Sequence, residues 1–224
     1  MIIGIHQPNY LPYPGFFHKI KDSDLFVILD DAQFSKGDFH NRNKIKTKDG
    51  FKWLTVPVHA KKEPINKIKI NKDFRFSRMS WNEYHLHLIY ENYRKSAFLS
   101  SFKQVLESFY NTNYNSLIDV NMKMINIFCN IFEINKKLVL SSSLGIPPNI
   151  KSTERLAFIC EALGAKKYLS GPDGKNYMDL SIFSDKKIEV IFQEYYPVSY
   201  KQNYGEFLPY MSALDAYLNC GELI

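Results

Sequence analysis

The 224-residue chain is 45% hydrophobic, enough for a full core, and 15% aromatic, with 17 Phe and 15 Tyr. Twenty-nine Lys and Arg against 23 Asp and Glu leave a net charge of +6, which suits an anionic ligand, but no block of five like charges marks a dedicated nucleic-acid binder. No apolar run reaches the ~18–20 residues of a membrane span and no basic segment precedes an apolar one, so neither a span nor a signal peptide is expected; the three cysteines, Cys129, Cys160 and Cys220, at unrelated spacings imply reduced thiols in the cytoplasm and no metal site.

Met1 to Ile5 reads as a buried strand and the helical period begins near Phe16, Phe17 and Ile20. Between them His6, Gln7, Asn9 and Tyr10 sit in a loop stiffened by Pro8, Pro12 and Pro14. A strand-to-helix loop at the carboxyl end of a buried strand is where open α/β sheets bind ligands, and prolines remove loop entropy in advance. Leu25 to Leu29, flanked by Asp24 and Asp30, is a continuous apolar strand covered on both faces. Residues 52–58 read as a strand ending near Pro57, and 65–70 alternate like a half-exposed strand. Ser80 to Glu83 has the form of a capping box, followed by three helical stripes through about residue 134. Strand periods return at Lys137–Leu140, Lys167–Leu169 and Lys187–Phe192, with a helix stopped by Gly164 between the first two and a last helix from about Ser212 to Asn219.

The predicted fold is α/β: a Rossmann-like mixed or parallel sheet with helices on both faces, as a single domain over 1–224. Its α/β portions cover about 1–72 and 136–200, and a helical insertion covers about 80–134.

Several residues carry candidate chemistry. His6 heads the loop and can serve as a general base or as a histidine that fixes the turn. Gln7, Asn9 and Tyr10 offer groups for a base edge or a sugar hydroxyl. Asp30 and Asp31 end a strand, a place for a base, a magnesium ligand or a ribose anchor, or simply for an acidic turn. Asn41, Arg42, Asn43 and Lys44 mix amides with cations, and alternation puts Arg42, Lys44 and Lys46 on one face, fit for a diphosphate or for a solvated edge. His85 is a third candidate base, with a packing histidine as the default. Ser170 and Gly171 form a sharp turn whose glycine permits close backbone approach, without the elbow motif of an esterase nucleophile.

The run from Ile5 to Pro12 with Gly15 to Lys19 resembles the opening of the WbqC-like family of bacterial proteins. So do Leu29 to Ser35, Asn41 to Lys46, Trp53 to Val58, Tyr168 to Gly171, and the tail through Gln202, Phe207, Ser212, Asp215 and Gly221. Tyr13 departs mildly, standing where many relatives have Trp. The resemblance implies work on a sugar nucleotide in surface-polysaccharide (O-antigen, lipopolysaccharide) biosynthesis, with acylation of an amino sugar as the activity; it brings no catalytic residues with it. A second resemblance, of fold, is to the opening of the HIGH-motif nucleotidyltransferases. Here Gly15 is followed by Phe16 in place of histidine, so the likeness bears on a Rossmann-like sheet rather than on chemistry.

The function expected is therefore a cytoplasmic transferase moving an acyl or aminoacyl group to the amine of a nucleotide-linked amino sugar. Acyl-CoA or aminoacyl-tRNA is the possible donor, and nucleic acid is a partner only in the second case. His6 would be the base, Asp30 its orienter or alternate, and Arg42 with Lys44 the phosphate clamp. The alternatives are a nucleotidyltransferase or adenylate-forming enzyme, and a non-enzymatic protein that binds a sugar nucleotide or RNA.

Overall fold

The computed structural model describes residues 1–223. Its elements run β1 (Ile2–His6), α1 (Pro14–Lys21), β2 (Leu25–Ile28), β3 (Arg42–Thr47), β4 (Gly50–Thr55), α2 (Trp81–Tyr93), α3 (Leu99–Tyr110), α4 (Leu117–Ile131), β5 (Lys137–Leu140), α5 (Ser152–Ala162), β6 (Lys167–Ser170), α6 (Ser181–Asp185), β7 (Glu189–Phe192) and α7 (Ala213–Cys220). They divide into two compact units.

The first, the sheet unit, comprises residues 1–8, 15–32 and 134–196. Its five strands are all parallel, in the order β5-β2-β1-β6-β7. Short apolar strands of this kind bury both faces, and alternation sends neighbouring side chains opposite ways. Phe26 meets Phe16 of α1 on one face, with ring centroids 5.6 Å apart. Val27 joins Ile3 and Ile5 on the other, under Leu156, Ile159 and Cys160 of α5 and Phe183 of α6. The stop after α5 is as the sequence predicts: Gly164 adopts φ 71, its N–H reaches Glu161 O at 2.9 Å, and Ala165 N reaches Cys160 O at 2.8 Å. The α/β class with a parallel sheet is thus what the strand periods foretell.

The second, the hairpin unit, comprises residues 9–14, 33–133 and from 197 onward. β3 and β4 pair antiparallel, from Arg42 opposite Thr55 to Thr47 opposite Gly50, as a two-stranded sheet of their own rather than as strands of the larger sheet. The capping box opens α2: Ser80 N donates to Glu83 Oε2 at 2.8 Å. Phe102, Leu106 and Phe109 of α3 and Val120, Met124 and Phe128 of α4 are buried, as their helical spacing predicts. One expectation fails. Residues 65–70 are not an alternating strand; Ile65–Lys67 is a 3₁₀ turn after Pro64, which lets Ile65, Ile68 and Ile70 all be buried. Alternation would have exposed one of each neighbouring pair, but a spacing of three closes into a tight turn with one apolar side.

No helix among the described residues is long and apolar enough to cross a membrane.

Candidate functional site

In the sheet unit the strand order reverses between β1 and β6, which pair through Ile2–Lys167 and Gly4–Leu169. Ligands of open parallel sheets bind outside the carboxyl ends of the strands at such a reversal. His6 is the last residue of β1 and Ser170 the last of β6. The His6 carbonyl accepts from Leu29 N at 2.8 Å, and its ring packs edge-on to Phe16 at 5.1 Å. Nδ1 lies 2.8 Å from Gln7 O. A carbonyl only accepts, so Nδ1 carries the proton and Nε2 is the basic nitrogen.

The edge continues on both sides. Asp30, two residues past β2, is buried and accepts from Ser142 N at 3.0 Å, Ser142 Oγ at 2.7 Å and Ser141 Oγ at 3.1 Å. Asp31 accepts from Ser141 Oγ and pairs with Arg155 at 2.5 Å. The turn after β5 thus ties its hydroxyls to the acids after β2, a link that sequence inspection of three serines does not reveal. Ser170 is buried with its hydroxyl 4.0 Å from Met178 Sδ. Gly171 is extended, and a Cβ there would meet nothing within 4 Å, so its backbone faces open space.

Two further residues complete this edge, and neither is prominent in the sequence. Gln193, just past β7, donates to Gly15 O at 2.7 Å while its own N–H reaches Ser170 O at 2.9 Å. Lys19 of α1 is buried, its ammonium 2.7 Å from Ile5 O, and burial lowers its pKa to about 7. Its spacing from Phe16 and Ile20 puts it among inward-facing residues, a faint signal against the usual exposure of lysine.

The hairpin unit places its candidates differently. Tyr10 is fully buried, with its hydroxyl 2.9 Å from His85 Nδ1 and 2.8 Å from Tyr110 Oη. Burial lowers the His85 pKa to about 3, opposed by the Thr55 backbone, so the ring is neutral. Asn43 Nδ2 donates to Leu11 O at 2.7 Å, Asn41 Nδ2 to Val56 O at 2.8 Å, and Asn9 is buried. Leu11 is held at φ 45, a costly conformation for leucine, by Asn43 and by Ala213 N on Pro12 O at 2.8 Å.

A larger network closes this unit. Asp215, with no exposed surface, accepts from Tyr93 Oη at 2.5 Å, Tyr200 Oη at 2.5 Å and Gln202 Nε2 at 2.8 Å. Burial raises its pKa, and the three hydrogen bonds and Lys46 oppose that rise. Lys46 donates to Gln202 Oε1 at 3.1 Å and to the Glu206 carbonyl. Lys46 therefore leaves the solvent face that it shares by alternation with Arg42 and Lys44. Those two stay half-exposed over aromatic rings: the Arg42 guanidinium is 4.3 Å from the Trp53 ring centroid, and Lys44 Nζ is 5.0 Å from that of Phe51.

The family model described as "WbqC-like protein family" matches residues 7–223. The chain belongs to the WbqC-like family. It is 33% identical over 221 residues to "Uncharacterized protein Rv1507c" of Mycobacterium tuberculosis, covering 98% of this chain and 94% of that one. No solved structure matches it.

Within this WbqC-like chain the candidates divide by unit. His6, Gln7, Asp30, Asp31, Ser170 and Gly171 belong to the sheet unit. Asn9, Tyr10, Asn41, Arg42, Asn43, Lys44 and His85 belong to the hairpin unit. In the first set the residues stand at successive strand ends. In the second, the Tyr10, Asn41 and Asn43 side chains hydrogen-bond to the scaffold itself, and only Arg42 and Lys44 carry partly exposed charge.

Proposed function

We propose that this protein is a transferase of surface-glycan biosynthesis that moves an acyl or aminoacyl group onto the amine of a nucleotide-linked amino sugar, with its chemistry at the strand-end edge of the sheet unit. The observation that carries the reading is His6, held with Nδ1 protonated at the end of β1, next to the β6 turn where the strand order reverses. The pathway is the one the family resemblance implies.

The chemistry asks little of the protein beyond placement. A base takes a proton from the sugar ammonium, the freed amine attacks the acyl carbonyl, and a C–N bond forms. The bond to the donor's sulfur or oxygen then breaks as the attacking nitrogen loses a second proton; one of the two protons passes to the leaving group and the other to solvent. His6 Nε2 is the base. The Gln7 amide and the Gly171 backbone N–H are donors for the oxyanion of the tetrahedral intermediate. Asp30 and Asp31 hydrogen-bond and ion-pair with Ser141, Ser142 and Arg155, which supports an orienting role rather than that of base or magnesium ligand. Arg42 and Lys44 belong to the hairpin unit, and the transfer step assigns them no role.

The test is native mass spectrometry of the protein purified without added ligand, followed by turnover assays on amino-sugar nucleotides with thioester and aminoacyl donors. A co-purified nucleoside diphosphate sugar and amide formation support the proposal. Affinity for sugar nucleotides with no amide formed from any donor overturns it in favour of a binding protein.

A further inference from the structure

The hairpin carries a charge concentration that a residue tally along the whole chain hides. Between residues 36 and 52 there are six cations, Lys36, Arg42, Lys44, Lys46, Lys48 and Lys52, against two acids, Asp38 and Asp49. Strand alternation then sorts this stretch. Asn43, Ile45 and Leu54 point into the unit and are buried. Arg42, Lys44, Phe51 and Trp53 share the opposite face, which is at least partly open to solvent.

That face has a particular composition. Three rings stand in a row, with Trp53 in the centre, Phe39 at 5.8 Å and Phe51 at 6.1 Å between centroids. Phe39 and Phe51 are 40% and 49% exposed, unusual for phenylalanine in a protein with core to spare. Between the rings lie the cations: Arg42 over Trp53, and Lys44 over both Phe51 and Trp53. Lys36 and Lys48 are exposed, whereas Lys52, opposite Ile45, takes the other face with its ammonium 5.5 Å from the Tyr84 ring centroid. A face meant only to stabilise a hairpin would pair its cations with acids; among the described residues neither Arg42 nor Lys44 has an acidic partner within ion-pair distance.

We propose that this face binds single-stranded nucleic acid. Exposed rings give bases a stacking platform, and cations interleaved with rings meet the phosphates that alternate with bases along a strand. The Arg42 guanidinium, 4.3 Å from the Trp53 ring centroid, has one terminal nitrogen on the Gly37 carbonyl, and its other terminal nitrogen is the one that meets phosphate. A duplex hides its base faces, so the platform selects strands whose bases are unstacked. A mononucleotide fills one stacking position and leaves the rest of the row empty. The proposal stands apart from the transferase reading, because it uses none of the sheet unit's residues.

The experiment is fluorescence anisotropy with short labelled single strands of RNA and of DNA, alongside the matching duplex and a nucleoside diphosphate. Quenching of tryptophan emission is the second readout. The expected result is single strands bound more tightly than duplex or mononucleotide, with affinity falling as salt rises. Phe51→Ala, at an exposed position, should weaken binding about 5- to 100-fold with melting unchanged. Lys44→Gln should reduce the salt slope by ~0.7. A preference between the RNA and DNA strands identifies the source of the ligand. Equal affinity for duplex, or single-strand affinity unaltered in Phe51→Ala, overturns the platform. The assay contains no sugar substrate or acyl donor, so its failure leaves the assignment of His6 untouched, and loss of turnover leaves this one untouched.

Discussion

At the strand ends of the sheet unit, His6 and Asp31 are only half-buried and Gly171 faces open space, whereas in the hairpin unit His85 and Asp215 have no exposed surface at all. Both regions draw on histidine, aspartate, serine or tyrosine, and both are rich in hydrogen bonds. The difference lies in where those bonds end. Around Asp215 both carboxylate oxygens are met by donors of the same unit, the buried Tyr93 and Gln202 and the half-buried Tyr200, so the network stiffens a core. Along the strand ends Asp30 and Ser170 are buried, but His6 and Asp31 keep partly exposed surface and the Gly171 backbone faces open space. Residue type alone does not distinguish scaffold from site; placement relative to the sheet does.

That contrast is broken most directly by His6→Asn. If His6 is the base, turnover on an amino-sugar nucleotide falls ~10²–10⁴-fold while substrate affinity and melting temperature hold. A histidine that merely fixes the turn gives the reverse pattern: a lower melting temperature, and activity lost only in proportion to folded protein.

The opposite experiment is Asp215→Ala. Removing the carboxylate leaves the Tyr93 and Tyr200 hydroxyls without their acceptor, takes one of the Gln202 amide's acceptors, and removes the negative charge that faces Lys46. Such losses cost ~3–5 kcal/mol of stability. Urea denaturation should show the midpoint move without a change in refolded secondary structure. A loss below ~1 kcal/mol would mean that water enters the network and that it resembles the strand-end edge after all.

The reach of the sequence follows the same division. The parallel strands were readable because each is an apolar run bounded by turns, and the helices because Ser80, Glu83 and Gly164 mark their ends. His6, Asp30 and Gly171 were readable as candidates because a strand's last residue has a defined place in such a sheet. Most of what was not legible has one cause: long-range partnering. That Asp30 bonds serines more than a hundred residues away, that Tyr10 bonds His85 and Tyr110, and that Lys19 turns inward to Ile5 O are all set by tertiary contacts that no local period encodes. The reading of 65–70 as a strand failed for a local reason. Ile68 and Ile70 fit alternation, but Ile65 stands three residues before Ile68, the spacing of a 3₁₀ turn, and Pro64 favours that turn.

Titration separates the two units by pH window. His85 in the hairpin unit has its pKa lowered to about 3 from 6.5, and Lys19 in the sheet unit has its lowered to about 7 from 10.5. In each, burial on folding disfavours the charged form. In each window the unfolded chain binds more protons, so stability rises with pH there, by at most ~1.4 kcal/mol per unit from either group. His85 contributes between about pH 3 and 6.5, and its share is fully present above 6.5 and lost as pH falls through that range. Lys19 contributes between about pH 7 and 10.5 in the same sense. Denaturation midpoints across pH should therefore climb in both windows. Lys19→Met should flatten the alkaline one alone, and His85→Gln the acidic one alone. A flat alkaline limb in the unaltered protein would place Lys19 in contact with water.

The smallest effect is expected at Ser142→Ala. Its hydroxyl bonds Asp30 Oδ2 at 2.7 Å, yet Ser142 itself is exposed, and its own backbone N–H and Ser141 Oγ continue to serve the other oxygen, Oδ1. Water can replace the lost donor, so the cost should be that of one ordinary hydrogen bond, ~0.5–1.5 kcal/mol. Asp215 lacks that recourse, which is why nominally similar serine and tyrosine bonds to a carboxylate should differ several-fold between the two units. A Ser142→Ala loss as large as that of Asp215→Ala would show the strand-end edge to be as closed as the hairpin core, and an edge that closed could not admit a sugar nucleotide.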